Sequence, residues 1–134
     1  AFQMMEIDIN PLNKISGNLK KGDNNTGLEK SKELLIVEIL EYKANAVLSK
    51  TIIKKSTGSV SSMSFDSGEG LNESVPPFDT FILVIEGSAE IVIGSNAALL
   101  QTGESIIIPA HASNSIKPNG RFKLISTIIK NGYD

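Results

Sequence analysis

The chain holds few side chains able to do acid–base or covalent chemistry near neutral pH. It has one histidine, His111, and no cysteine. A disulfide scaffold, a thiolate metal site and a thiol nucleophile are therefore excluded. In the run Gly103-Glu-Ser-Ile-Ile-Ile-Pro109-Ala-His111 the imidazole follows a proline that stops a strand-like stretch by removing a ladder donor. An unperturbed imidazole titrates at roughly pH 6.5, so it could act as a base or a hydrogen-bond donor. Two readings of His111 stay open: a group on the rim of a pocket, or an exposed loop histidine beside it. No carboxylate neighbour in sequence orients the ring, and no Ser-His-Asp set can be assembled around it.

The other chemistry available is hydrogen bonding by neutral groups. Ser62, Ser64, Ser74, Thr80 and Asn114 could line a pocket suited to an uncharged polar ligand or to ordered water. The serines could equally be edge or solvent-facing strand residues. Asp79 adjoins Thr80, but strand alternation turns it to the opposite face. Gly68-Glu69-Gly70 is too short for a phosphate-binding loop, and no helix follows it.

The elements that must position these groups are β-strands. From Ala46 onward the chain reads as about eight short strands with turn signals roughly every 8–12 residues. Val47–Lys55 ends at Thr57-Gly58. Ser59–Asp66 puts Ser61, Met63 and Phe65 on one face and Val60, Ser62 and Ser64 on the other. Phe78–Ile85 is nearly all apolar, as in a strand buried on both faces. Ser88–Ile93, Ala97–Gln101, Ile106–Ile108, Asn114–Lys117 and Phe122–Lys130 follow. Such spacing predicts an all-β sandwich or barrel. Residues 1–30 are polar and rich in Asn, Gly and Lys, and read as an arm with no core of its own. Residues 31–42 are ambiguous: Ser31 could cap a short helix, or Leu34–Val37 could be a buried strand. The domain expectation is an arm over residues 1–30 and a single β-barrel domain over residues 31–134.

Two blocks within this pattern resemble the signature motifs of the cupin superfamily. The first cupin motif runs Gly, five residues, His-x-His, three or four residues, Glu, six residues, Gly. The second runs Gly, five residues, Pro-x-Gly, two residues, His. Gly68, Gly87, Gly103 and Pro109 fall on it. The four metal-binding positions are instead held by Ser74, Pro76, Thr80 and Asn114, and His111 stands where the second motif has its inner glycine. The resemblance covers residues 46–130 and implies a double-stranded β-helix, the cupin jelly-roll barrel of the RmlC-like kind, with a pocket at one mouth. It also implies that Ser74, Thr80, His111 and Asn114 surround that pocket.

A first-row metal needs three or four nitrogen, sulfur or carboxylate donors. Proline offers none, and Ser, Thr and Asn are weak neutral ligands. The expectation is a degenerate site with no metal and no cofactor, serving small-molecule binding or a structural role. Two enzymatic alternatives remain. One is a metal-dependent cupin of the dioxygenase or isomerase type with atypical ligands. The other is a metal-independent sugar isomerase or epimerase that uses His111 as its base.

Composition bounds the partners. A chain of 134 residues with 40% hydrophobic and 21% charged residues suits one globular domain. A net charge of −2 with no basic block speaks against nucleic acid. No segment reaches the roughly 18–20 apolar residues of a membrane span, and the N-terminal residues lack a signal-peptide pattern. The expectations are a cytoplasmic homodimer that takes a small, neutral, polar ligand.

Overall fold

A computed structural model describes Met4–Glu6 and residues 27–133. Most of the arm read over residues 1–30 therefore lies outside the described residues. Ten strands are described: β1 (Met4–Glu6), β2 (Val47–Lys55), β3 (Gly58–Phe65), β4 (Leu71–Ser74), β5 (Asp79–Glu86), β6 (Ala89–Ile93), β7 (Asn96–Leu100), β8 (Ser105–Ile108), β9 (Asn114–Lys117) and β10 (Phe122–Ile129). They form a six-stranded sheet in the order β1-β2-β3-β10-β5-β8 and a four-stranded sheet in the order β4-β9-β6-β7. Every pairing is antiparallel except β1 with β2.

Local sequence explains the turns. Lys55 pairs with Gly58, leaving a two-residue hairpin at Ser56 and Thr57. A Cβ at Gly58 would sit 2.4 Å from the Ile128 carbonyl oxygen, so only glycine lets β3 close against β10 there. Gly94 and Ser95 form the matching two-residue loop between Ile93 and Asn96. Gly94 carries the positive φ of 60° that such tight hairpins need.

The inner face of the six-stranded sheet is organised in rows of register partners. Val47, Phe65 and Phe122 make one row. The next joins Ser49, Met63, Leu124 and Val84. The third joins Thr51, Ser61, Ser126, Ile82 and Ile106. The fourth joins Ser59, Ile128, Thr80 and Ile108. The first two rows are mostly apolar and belong to the main core, which also takes in Ile82 and Ile108 of the next two rows and which the four-stranded sheet completes with Ala89, Ile91, Leu100 and Ile116. Phe65 and Phe122 stack with ring centroids 4.3 Å apart and planes at 13°. Such a pair contributes about 0.5–1.5 kcal/mol beyond its area burial. From this end, the inner face turns to hydroxyls toward the other.

The outer face of the same sheet carries a second, smaller core. Residues 35–46 cross it as a strap, and Leu40 and Ala46 pack with Leu48. The strap is held by side chains rising from the sheet. Lys123 Nζ donates to the Val37 carbonyl at 2.6 Å and Ser64 Oγ to the Glu41 carbonyl at 2.9 Å. Tyr42 donates to Glu86 Oε2 at 2.5 Å, with the Arg121 guanidinium and the Lys123 ammonium each 5.0 Å from its ring centre. Burial first, and then the Glu86 carboxylate, push the Tyr42 hydroxyl pKa up, so it stays a neutral donor.

Two sequence expectations change here. Residues 31–42 form neither a full helix nor a buried strand: one 3-10 turn, Ile36–Glu38, is present, and Leu34, Leu35 and Ile36 are exposed. Ser31 does not cap it. The strap takes its shape from sheet side chains rather than from its own backbone ladder. Strand β5 is buried on its inner face through Ile82 and Val84, but the strap does not reach all of its outer face. Phe81 there is 40% exposed.

Candidate binding site at the barrel mouth

Ser74 and Asn114 are register partners where β4 meets β9, beyond an irregularity that begins after the Leu71–Ile116 pair. Asn114 shares parity with the buried Ile116 and lies opposite Ile93, which packs on the core, so its side chain faces the barrel. Its Nδ2 donates to the Ala112 carbonyl at 3.3 Å. Thr80 shares parity with Ile82 and Val84 on β5 and lies between Ile108 and Ile128. Asn114 and Thr80 are half-buried, and Ser74 is exposed. Ser74, Thr80 and Asn114 thus sit toward the hydroxyl end of the barrel, on facing sheets.

His111 joins them through its backbone. Its φ is +68°, in the left-handed region that costs a residue with a Cβ roughly 1–2 kcal/mol. The cupin pattern has glycine at this place, and the conformation supplies the reason. Gly87, another motif glycine, has φ +76° and leaves no room for a Cβ, which would lie 2.4 Å from the Arg121 carbonyl oxygen. The His111 turn is pinned by several bonds. Ala112 N–H donates to the Pro109 carbonyl at 3.2 Å, and His111 N–H to the Pro76 carbonyl at 2.8 Å. Ala110 N–H donates to Asp79 Oδ1 at 2.7 Å. Ser113 Oγ donates to Glu73, and the Ser113 carbonyl accepts from Gly94 N–H at 2.8 Å. The His111 side chain is exposed, and no carboxylate bonds it among the described residues.

Ser62 and Ser64, read above as possible pocket lining, are not there. They lie on the outer face of β3 and are fully buried, Ser64 beneath the strap. Their parity follows Leu48 and Ile125 rather than Met63 and Phe65. Ser64 holds the Glu41 carbonyl, whereas the Ser62 hydroxyl has no hydrogen-bond partner among the described residues. The inward hydroxyls are Thr51, Ser61 and Ser126, adjacent in one row, with Thr80 one row further out. Sequence reasoning missed these three, although Ser61 alternates with Met63 and Phe65, the two largest apolar residues of its strand. Beside these hydroxyls the inner face carries an isoleucine wall of Ile82, Ile106, Ile108 and Ile128, of which Ile82 and Ile108 belong to the buried core.

Neutral oxygens and one amide are poor ligands for a first-row metal. Among the described residues no three His, Asp or Glu side chains come together closely enough to hold an ion. The donors at the motif positions do not fit the metal of the family pattern. A separate groove of about 330 Å³ lies on the outer face of the four-stranded sheet, along Asn72, Glu73, Val92, Ser115 and Lys117. It is distinct from the barrel mouth.

Solved structures similar to this barrel share its fold. A conserved protein of unknown function from Streptococcus pyogenes superposes with a TM-score of 0.75 at 20% identity, covering 81% of this chain and 95% of its own. A cupin superfamily protein from Desulfitobacterium hafniense gives 0.73 at 26% identity, over 79% of this chain and 97% of its own. A cupin 2 conserved barrel domain protein from Leptotrichia buccalis gives 0.67 at 25% identity, over 70% of this chain and 46% of its own. No protein-family model and no curated protein matches the sequence. The fold, the motif glycines and these neighbours define a small cupin-superfamily protein with an RmlC-like jelly-roll barrel.

Proposed function

We propose that this protein binds a small, uncharged, polar molecule in the barrel mouth, without a metal. The observation that carries the proposal is the contiguous row of Thr51, Ser61 and Ser126, facing the sheet that bears Asn114 and Ser74. Hydroxyl and amide groups can both donate and accept, so they match neutral ligands rich in hydroxyls or amides. The isoleucine wall beside them suits the apolar face of a ring or short chain. Thr51, Ser61, Ser126, Thr80, Asn114 and Ser74 carry no charge, so an anion entering here would lose hydration without compensation. A thermal-shift screen of neutral sugars, polyols and amides against their acidic analogues tests this. Neutral members should raise the melting temperature. Stabilisation by the acidic analogues alone would overturn the proposal.

The proposal includes a homodimer in the cytoplasm. Phe81 and Ile107 are register partners on the outer face of the six-stranded sheet, at 40% and 65% exposure. Strand β8 ends that sheet, and uncharged apolar edge surface invites a second copy. Among the described residues no helix is long and apolar enough to cross a membrane. A chain without cysteine suits a reducing compartment.

A further inference from the structure

The last described residues return to the mouth. Lys130 N–H donates to the Thr57 carbonyl at 2.7 Å, and the chain turns at Gly132, where φ is +92°. The Tyr133 hydroxyl then enters the end of the β5–β10 ladder. Asp79 and Ile129 are the terminal register pair of that ladder. The hydroxyl accepts from Asp79 N–H at 2.6 Å and donates to the Ile129 carbonyl. One phenol thus satisfies a donor and an acceptor that the strand ends leave to be paired. Its ring lies 6.2 Å from that of Phe78, tilted by 48°. Lys130 Nζ is 5.9 Å from the Phe78 ring centre.

Fixing the Asp79 backbone fixes what its side chain can reach. Asp79 Oδ1 accepts Ala110 N–H at 2.7 Å, a bond strengthened by the carboxylate charge. Ala110 precedes His111, whose N–H goes to the Pro76 carbonyl. An unbroken series of bonds therefore runs from the C-terminal tail through Asp79 to the turn that holds His111 at positive φ. A left-handed residue with a Cβ persists only where its surroundings over-determine it. The tail and Asp79 are part of those surroundings.

We infer that Tyr133 is a positioning residue of the barrel mouth: acting through Asp79, it holds the Pro109–Ala112 turn and so sets where His111 stands. The inference rests on the ligand proposal only in its consequence, that the tail shapes the opening a ligand uses. The bonds can be tested with no ligand at all, so the two claims fail separately.

The test is amide hydrogen exchange by NMR on the full chain, with the single histidine as a spectroscopic marker. In Tyr133→Phe, the amides of Asp79, Ala110 and His111 should exchange about tenfold faster or more, while Met63 in the sheet keeps its protection. The His111 imidazole resonances should shift in the same variant. Asp79→Ala should speed Ala110 and His111, whereas Asp79→Asn, which keeps an Oδ1 acceptor, should restore much of their protection. Faster exchange at Asp79 alone, with Ala110 and His111 as in the wild type, would overturn the inference, because the tail would then close only the ladder. Should Tyr133→Phe fail to fold, equal exchange of Ala110 and His111 in Asp79→Ala and Asp79→Asn overturns it as well.

Discussion

Ser61 and Ser126 are direct register partners on β3 and β10, and both belong to the face that carries Met63 and Leu124. Two serines side by side on the inner face of a barrel are costly as packing. They bury no apolar area and bring groups that need hydrogen bonds. Their place in the row with Thr51 is what the proposed binding of a polar ligand would use.

A stability prediction follows from that placement. Thr51→Val and Ser126→Ala should leave thermal stability unchanged or raise it, within about 1 kcal/mol, because apolar groups of similar shape replace hydroxyls on the inner face of the barrel. Thermal denaturation of each variant checks this. A loss above about 1.5 kcal/mol would mean that the hydroxyls are structural.

Asp66 gives a pH prediction. The Asn45 backbone N–H, then Arg121 at 2.8 Å, then the Ser67 N–H hold its carboxyl below the usual carboxylate range, against the opposing effect of burial. Its folded pKa thus lies under the unfolded value of about 3.9. The stabilisation is complete above that value and is lost as pH falls through the lower folded one. Asp66→Asn should therefore be less stable than wild type at pH 7, with the gap closing only below about pH 4. Urea denaturation across this range is the measurement. A gap that persists undiminished at the acid end would show that the charge is not the cause.

The outer face of β5 and β8 gives an assembly prediction. Ile107→Lys places a charge at the centre of the exposed apolar patch. If two copies meet there, the dimer dissociation constant should rise about tenfold or more, a change of roughly 1.4 kcal/mol. Light scattering over a dilution series reads it. Wild type that is monomeric at micromolar concentration, or a variant that dimerises as well as wild type, would sink the interface.

Much of this architecture was legible in the sequence, and for identifiable reasons. Turn residues bounded the strands, so Val47–Lys55 and Asn114–Lys117 match the expected ranges at both ends. The motif glycines gave the fold because backbone positions such as Gly87 admit no other residue. Strand β4 was not assigned, since Leu71–Ser74 has one apolar residue and no alternation to detect. Thr80 and Asn114 face the barrel, whereas Ser62 and Ser64, which alternation sets opposite Met63 and Phe65, lie on the outer face, so of the two readings open for them the pocket lining falls away. Serines carry no signal of side by themselves. A buried outer face also requires the strap, whose position depends on long-range bonds from Lys123 and Ser64 that no local pattern reveals. The Tyr133–Asp79 contact spans 54 residues and was invisible for the same reason.

The most direct test of a neutral, metal-free binding mouth is calorimetric titration of the best neutral ligand into metal-stripped wild type and Asn114→Leu. The substitution removes an inward amide at the mouth without touching the stacked Phe65 and Phe122. Wild type should bind without added metal, and Asn114→Leu should bind more weakly by about 1–3 kcal/mol, roughly 5- to 150-fold. Equal affinity in the two proteins, or binding that appears only when a divalent metal is restored, would contradict the account.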